Sequence, residues 1–255
     1  MAAYEIFHVA VAPLDTVTAD LVAGIAAVIA KPPYETKLLL SRKTPVIVAH
    51  SNTLQNAEQT AMELKELGLI TTVFSDIDLR KPVRSFRAHI LQFEAEEILG
   101  KDRSGQTSEI KSGDMFLVIS GKMQTYTETD VTETKMEVNV KATLMTGIPI
   151  LRKVKQKTKN AATETECFIR LYNHASAEPC LEILQYDFDY SCLGAEMTLS
   201  SLLNFNVLVT KVKEQFPLAI SDNSLMGPPV MSRSNFDINC RLMYWYHRNL
   251  RSLTP

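Results

Sequence analysis

Glycine is scarce in this chain. Nine glycines in 255 residues leave little for a phosphate-cradling loop, and no Walker, GxGxxG, GxSxG or HExxH pattern occurs. Cysteine is sparser still, and Cys167, Cys180, Cys192 and Cys240 form no CxxC pair. Each lies in or beside an apolar or aromatic run, so buried reduced thiols are expected rather than disulfides or zinc. An excess of charge of one sign is also missing. With a formal net charge of −2, no global field draws the chain to nucleic acid or an anionic membrane, and such a role needs a local patch. Long apolar runs are absent: residues 21–30, the most apolar helical stretch, fall well short of the ~20 residues that span a bilayer. Residues 1–12 show no basic leader followed by an apolar core and a small-residue cleavage site, so a cytoplasmic location is expected. No cofactor and no metal is expected.

What is present is globular composition, 45 % hydrophobic and 22 % charged, enough for two domains of about 80 and 130 residues. Residues 4–12 alternate and then turn apolar through Ile6, Val9 and Val11, a strand. Asp15 and Thr16 can cap a helix whose Val17, Leu21, Ile25 and Val28 recur at helical spacing. Gly24 inside it costs about 1 kcal/mol against alanine, which marks close packing. Pro33 can open a short second helix over 34–41. Residues 45–49 form an apolar strand. Asn52 can cap a helix that buries Ala57, Ala61 and Leu64 and stops at Gly68. Residues 69–74 are the last strand. The order over residues 1–80 is β-α-α-β-α-β.

The run from Tyr34 to Phe74 carries Glu35-Thr36-Lys37, a strand after Lys43-Thr44-Pro45, then Asn56-Ala57-Glu58, Glu63-Leu64 and Glu66-Leu67-Gly68. It resembles the C-terminal domain of the bacterial ribosomal stalk protein, a fold shared with the adaptor subunit of the Clp protease. The resemblance implies a module that docks to other proteins. Of the stalk domain's paired lysines only Lys37 has a counterpart, Tyr34 standing at the other position. Where the adaptor has an acidic Asn-Asp run, this chain has Ala12-Pro13-Leu14-Asp15. Neither relative's partner is therefore implied.

Residues 76–85 are expected to be a linker, and residues 85–217 an antiparallel β-rich, barrel-like domain closed by a C-terminal helix. A long strand over 86–98 and its return over 108–124 make one hairpin, and residues 167–172 with 180–190 a second. Ser200 or Ser201 starts a helix that buries Phe205, Leu208, Val212 and Phe216. That order resembles a pleckstrin-homology-like fold. Phe188-Asp189-Tyr190-Ser191 before the helix is similar to a stretch in uncharacterised bacterial proteins that pair two such modules. The fold class as a whole is α+β. Residues 218–255 are expected to be a flexible tail with a short amphipathic helix carrying Leu242, Tyr244, Trp245 and Tyr246.

Three readings of function follow. The first is a non-enzymatic protein-binding adaptor or scaffold, self-associating or docking a protein partner through Leu242, Tyr244, Trp245 and Tyr246. The second is phosphate recognition, of nucleic acid or an anionic headgroup, by Arg152, Lys153, Lys155, Lys157 and Lys159. Alternation puts four of these ammonium groups on one face of an extended chain, although the same lysines also suit a solvated edge strand protected from aggregation. The third is an enzyme with an atypical site, recognisable only by a pocket with converging polar groups. The five histidines have no i, i+4 pair, but His50 sits between a strand and a helix, where α/β enzymes place chemistry. Asp187 and Asp189 share a strand face and read as solvent-facing charges.

Overall fold

The computed structural model describes residues 5–138, 151–228 and 230–253; side chains are described outside 125–163, 233–234 and 252–253. The first sheet follows the expected order: β1 (Phe7–Val11), α1 (Ala19–Val28), α2 (Pro33–Leu40), β2 (Val46–Ser51), α3 (Leu54–Glu66) and β3 (Thr71–Ser75). β1 is central and antiparallel to both neighbours. Val9, Val11 and Val48 pack against Ile25 of α1 and Ala57, Ala61 and Leu64 of α3. The caps differ from expectation by one to three residues. Thr18 and Thr53, both extended, accept the N–H groups of Leu21 and Asn56. Gly68, at φ +87°, ends α3 in the left-handed region. A Cβ on Gly24 would lie 3.4 Å from the Leu67 side chain, an ordinary van der Waals contact, so the close packing expected there does not require glycine.

Residues 76–85 are not a plain linker. Ser75 accepts the Asp78 N–H at 3.0 Å and starts a one-turn helix, α4 (Asp76–Arg80), whose Leu79 is buried against Ala10 and Leu242. The single strand expected over 86–98 is two, β4 (Phe86–Arg87) and β5 (Ile90–Phe93), followed by β6 (Glu97–Lys101) and β7 (Thr107–Lys111). β5, β6 and β7 make an antiparallel meander of their own.

The larger sheet has six strands. β8 (Met115–Val138), β9 (Leu151–Asn173), β10 (Leu181–Leu184), β11 (Ile220–Leu225) and β4 run in the order β11-β8-β9-β10-β4, with β12 (Met231–Ser232) against β8. β11 is parallel to β8 and β4 parallel to β10, so the sheet is mixed. Among the described residues it does not close into a barrel. Alternation along β8 and β9 divides its side chains between two layers. Val118 and Ile169 face α5 (Ser201–Gln215), which buries Phe205, Leu208 and Val212 on them. Leu117, Ile119 and Phe168 face the other way, toward α6 (Arg233–Leu253).

The stretch after 217, expected to be a flexible tail, is instead β11, β12 and α6. Phe236, Cys240, Met243 and Tyr244 of α6 pack on Phe116, Phe168 and Tyr172 of the large sheet. On the opposite side of the helix, Ile238 and Leu242 pack on Ala10, Ile47 and Phe74 of the small sheet. Arg241 donates to the carbonyls of Asp78, Leu79 and Lys81, satisfying the C-terminal end of α4. α6 is thus the shared layer between two sheets, and compactness does not break near residue 80. The chain divides instead into one unit of 1–123 with 166–255 and another of 124–165. No single helix among the described residues is long and apolar enough to cross a membrane.

Candidate functional site

Antiparallel register sets His8 of β1 directly opposite His50 of β2. His8 falls on the same face as Ala10, away from α1 and α3, and β3 ends one residue before Asp76. Three residues far apart in sequence therefore meet. His8 Nε2 lies 2.8 Å from Asp76 Oδ1, and His8 Nδ1 lies 2.7 Å from His50 Nδ1, the rings standing at 88°. Arg80 Nε donates to the same Asp76 oxygen at 2.7 Å.

Proton counting orders the chain. The Arg80 guanidinium, and then the bond from His8, hold the Asp76 carboxyl below its usual range, so it is an acceptor and His8 Nε2 carries a proton. In neutral His8 the Nδ1 is then a lone pair. His50 must donate its Nδ1 proton to it, which leaves His50 Nε2 unprotonated. His8 is buried and His50 exposed. Partial burial, the neighbouring His8 and Lys31 together lower the His50 pKa, against the pull of Asp76, so the ring is neutral at pH 7. No described residue bonds to its Nε2. A free ring nitrogen at the surface, backed by a buried imidazole and a carboxylate, can take a proton and pass the resulting charge inward toward Asp76.

These groups open on a cleft of about 300 Å³. Arg42 and Arg80 supply positive charge, Asn235 and Asn239 of α6 supply amides, and Leu39 and Leu242 supply apolar walls. Arg42 and Arg80 against Asp76 leave an excess of one positive charge beside a proton acceptor, which suits an anionic ligand with a transferable proton.

Most of the residues singled out from sequence lie elsewhere. Arg152, Lys153, Lys155, Lys157 and Lys159 fall in β9, but their side chains lie outside the described residues. Leu242 and Tyr244 are 3 % and 7 % exposed, occupied by their own chain, which corrects their assignment as partner-docking groups. Trp245 stands edge-on to Phe74 at 6.1 Å and is half-buried, as is Tyr246. Lys37 is exposed on α2. Asp187 pairs with Arg103, while Asp189 accepts the Ser191 N–H at 2.9 Å, so the two do not act together. His50 was visible from its place between strand and helix. His8 and Asp76 were not singled out, and the signal that could have found them is a polar residue on the β1 face shared with Ala10. No family model, curated protein or solved structure matches this chain, so the reading of the site rests on its geometry.

Proposed function

We propose that the chain acts on a small anionic substrate, with His50 as its proton acceptor. One observation carries this: the hydrogen-bonded Asp76–His8–His50 chain ends on the exposed His50 ring in a cleft that also holds Arg42 and Arg80. The arginines attract and orient the anion. A substrate hydroxyl or a water then gives its proton to His50 Nε2, breaking an O–H bond and forming N–H. The positive charge so created is shared through His8 and faced by Asp76.

The test uses p-nitrophenyl phosphate turnover together with NMR titration of the histidine rings. Removing a general base costs about 10²–10⁴-fold in rate. Turnover should therefore fall by that order in His50→Ala, and in Asp76→Asn to a smaller extent, with an altered pH profile. Turnover unchanged in His50→Ala, or a wild-type His50 that titrates at its ordinary value, would overturn the reading.

A second reading, the protein-binding adaptor implied by the stalk-like sequence, is favoured by a separate observation. Met197, Leu199, Leu202 and Leu203 are 55 %, 109 %, 45 % and 55 % exposed around the start of α5. The occupant that this reading assigns is a second copy of the chain. Light scattering should then give a dimer that Leu199→Glu with Leu203→Glu converts to monomer; a monomeric wild type at high concentration removes self-association. A cytoplasmic location fits four free thiols.

A further inference from the structure

A second cavity, of about 530 Å³, opens beside β4, β9, β10 and the first turn of α6. Charge converges on it: Arg84, Arg87 and Arg170 against Glu182 and Asp237, an excess of one positive charge. Two members of this group are desolvated, Arg170 and Glu182 each being 3 % exposed. Register explains why they meet, since Glu182 of β10 pairs with Arg170 of β9 and with Arg87 of β4.

The bonding is uneven. Glu182 is fully used: Oε1 accepts from Arg87 at 2.9 Å, and Oε2 accepts from Arg170 Nη2 at 2.7 Å and from its Nε at 2.9 Å. The Phe236 ring lies 3.8 Å from Arg170 Cζ and fixes the guanidinium plane. Asp237 accepts from Arg170 Nη2 at 2.6 Å, yet its side chain is 38 % exposed. Tyr172 and Cys240 are the guanidinium's other neighbours, and Nη1, buried beside them, makes no hydrogen bond of normal geometry. Arg84 is exposed at the rim, where only its backbone N–H is engaged, by Glu178. A network that served stability alone would satisfy every buried donor, because an orphan carries its whole desolvation penalty. Buried ion pairs are in any case weak stabilisers.

We propose that this cavity binds a small oxyanion, a carboxylate or phosphate, which takes the place of Asp237 on the buried Arg170 guanidinium. Asp237 is the member with one bond and access to solvent, so it is the one a ligand can displace, while Glu182 stays to hold the guanidinium in plane. The rim guanidinium of Arg84 receives the ligand's remaining charge. The site is separate from the His50 cleft and does not depend on the reaction proposed there.

Titration calorimetry with inorganic phosphate and with acetate, each at constant ionic strength, tests this and separates the two sources of oxyanion. Asp237→Asn removes the competing carboxylate and should tighten binding about tenfold. Arg84→Ala, at an exposed position that does not threaten folding, should weaken it about tenfold, the loss of roughly one charge-assisted bond. His50→Ala should change nothing. No saturable binding by wild type or by Asp237→Asn, weaker binding in Asp237→Asn, or binding abolished by His50→Ala would each overturn the proposal.

Discussion

Leu242→Ala tests the central packing claim, that α6 closes the open face of the small sheet. Leu242 is 3 % exposed, and its neighbours Ala10 and Leu79 are 0 % and 1 % exposed. Buried leucine-to-alanine changes cost about 2–5 kcal/mol, according to how far the site collapses. Leu242 also lines the His50 cleft, so water can enter the space left behind. The lower half of that range, about 2–3 kcal/mol, is therefore expected. For a unit of this size each kcal/mol moves the melting midpoint by about 2–4 °C, giving a fall of about 4–12 °C. Circular dichroism melts read the first effect, and ring NMR reads a second. Burial is the largest cause of the lowered His50 pKa, so admitting water should move that pKa up toward its ordinary value. A loss below about 0.5 kcal/mol, the range of ordinary surface changes, would refute the claim that α6 covers this sheet.

Further expectations follow from single positions. A Cβ on Gly121 would sit 2.6 Å from the Phe168 ring and 2.7 Å from Leu225 Cβ, so Gly121→Ala should lower stability by about 1–3 kcal/mol or more in urea unfolding. Ala30 holds φ +51° just after α1, and Ala30→Gly should raise stability by about 1 kcal/mol in the same assay. Because the folded His50 pKa lies below 6.5, the unfolded chain binds more protons there. Stability should rise as pH climbs through the window just below 6.5, and His50→Asn should flatten that slope. Burial pushes the Asp222 carboxyl up, but hydrogen bonds from His247 and Ser224 outweigh it and leave the pKa lowered. Its contribution is present above pH 4 and should be lost as pH falls through the folded value; Asp222→Asn should remove that acid-side loss in pH-jump unfolding.

Local chemistry made the small sheet readable. Proline at the head of α2, the stripe of α3 and Gly68 at its end are short-range signals, and the element order that they imply is the observed one. Caps moved by a residue or more because Thr18 and Thr53 compete with nearby Asp15, Thr16 and Asn52 for the same role, and only backbone geometry decides. β4 and β5 were not separable from one strand because nothing between Arg87 and Ile90 marks a break. Non-local pairing explains the larger misses. β11 carries Ser221, Asp222, Asn223 and Ser224 and has no strand-like composition; it is a strand because β8 offers it an edge. The candidate site failed to show for the same reason, its three members meeting only through β1–β2 register and a helix that begins where a linker was expected. The aromatic residues of α6 were legible as an apolar face, but not which sheet would receive it.

Because α6 follows both sheets in the chain, the order of synthesis matters. At roughly 5–20 residues per second, a β1–β3 sheet finished at Ser75 waits about 8–32 s before Arg233 is made. During that time Ala10 and Phe74 have only α4 to pack on that side, and Phe116 and Phe168 then wait without α6. The ribosome thus releases two half-built layers before the element that joins them, and the apolar faces that α6 covers wait for the last residues to be made.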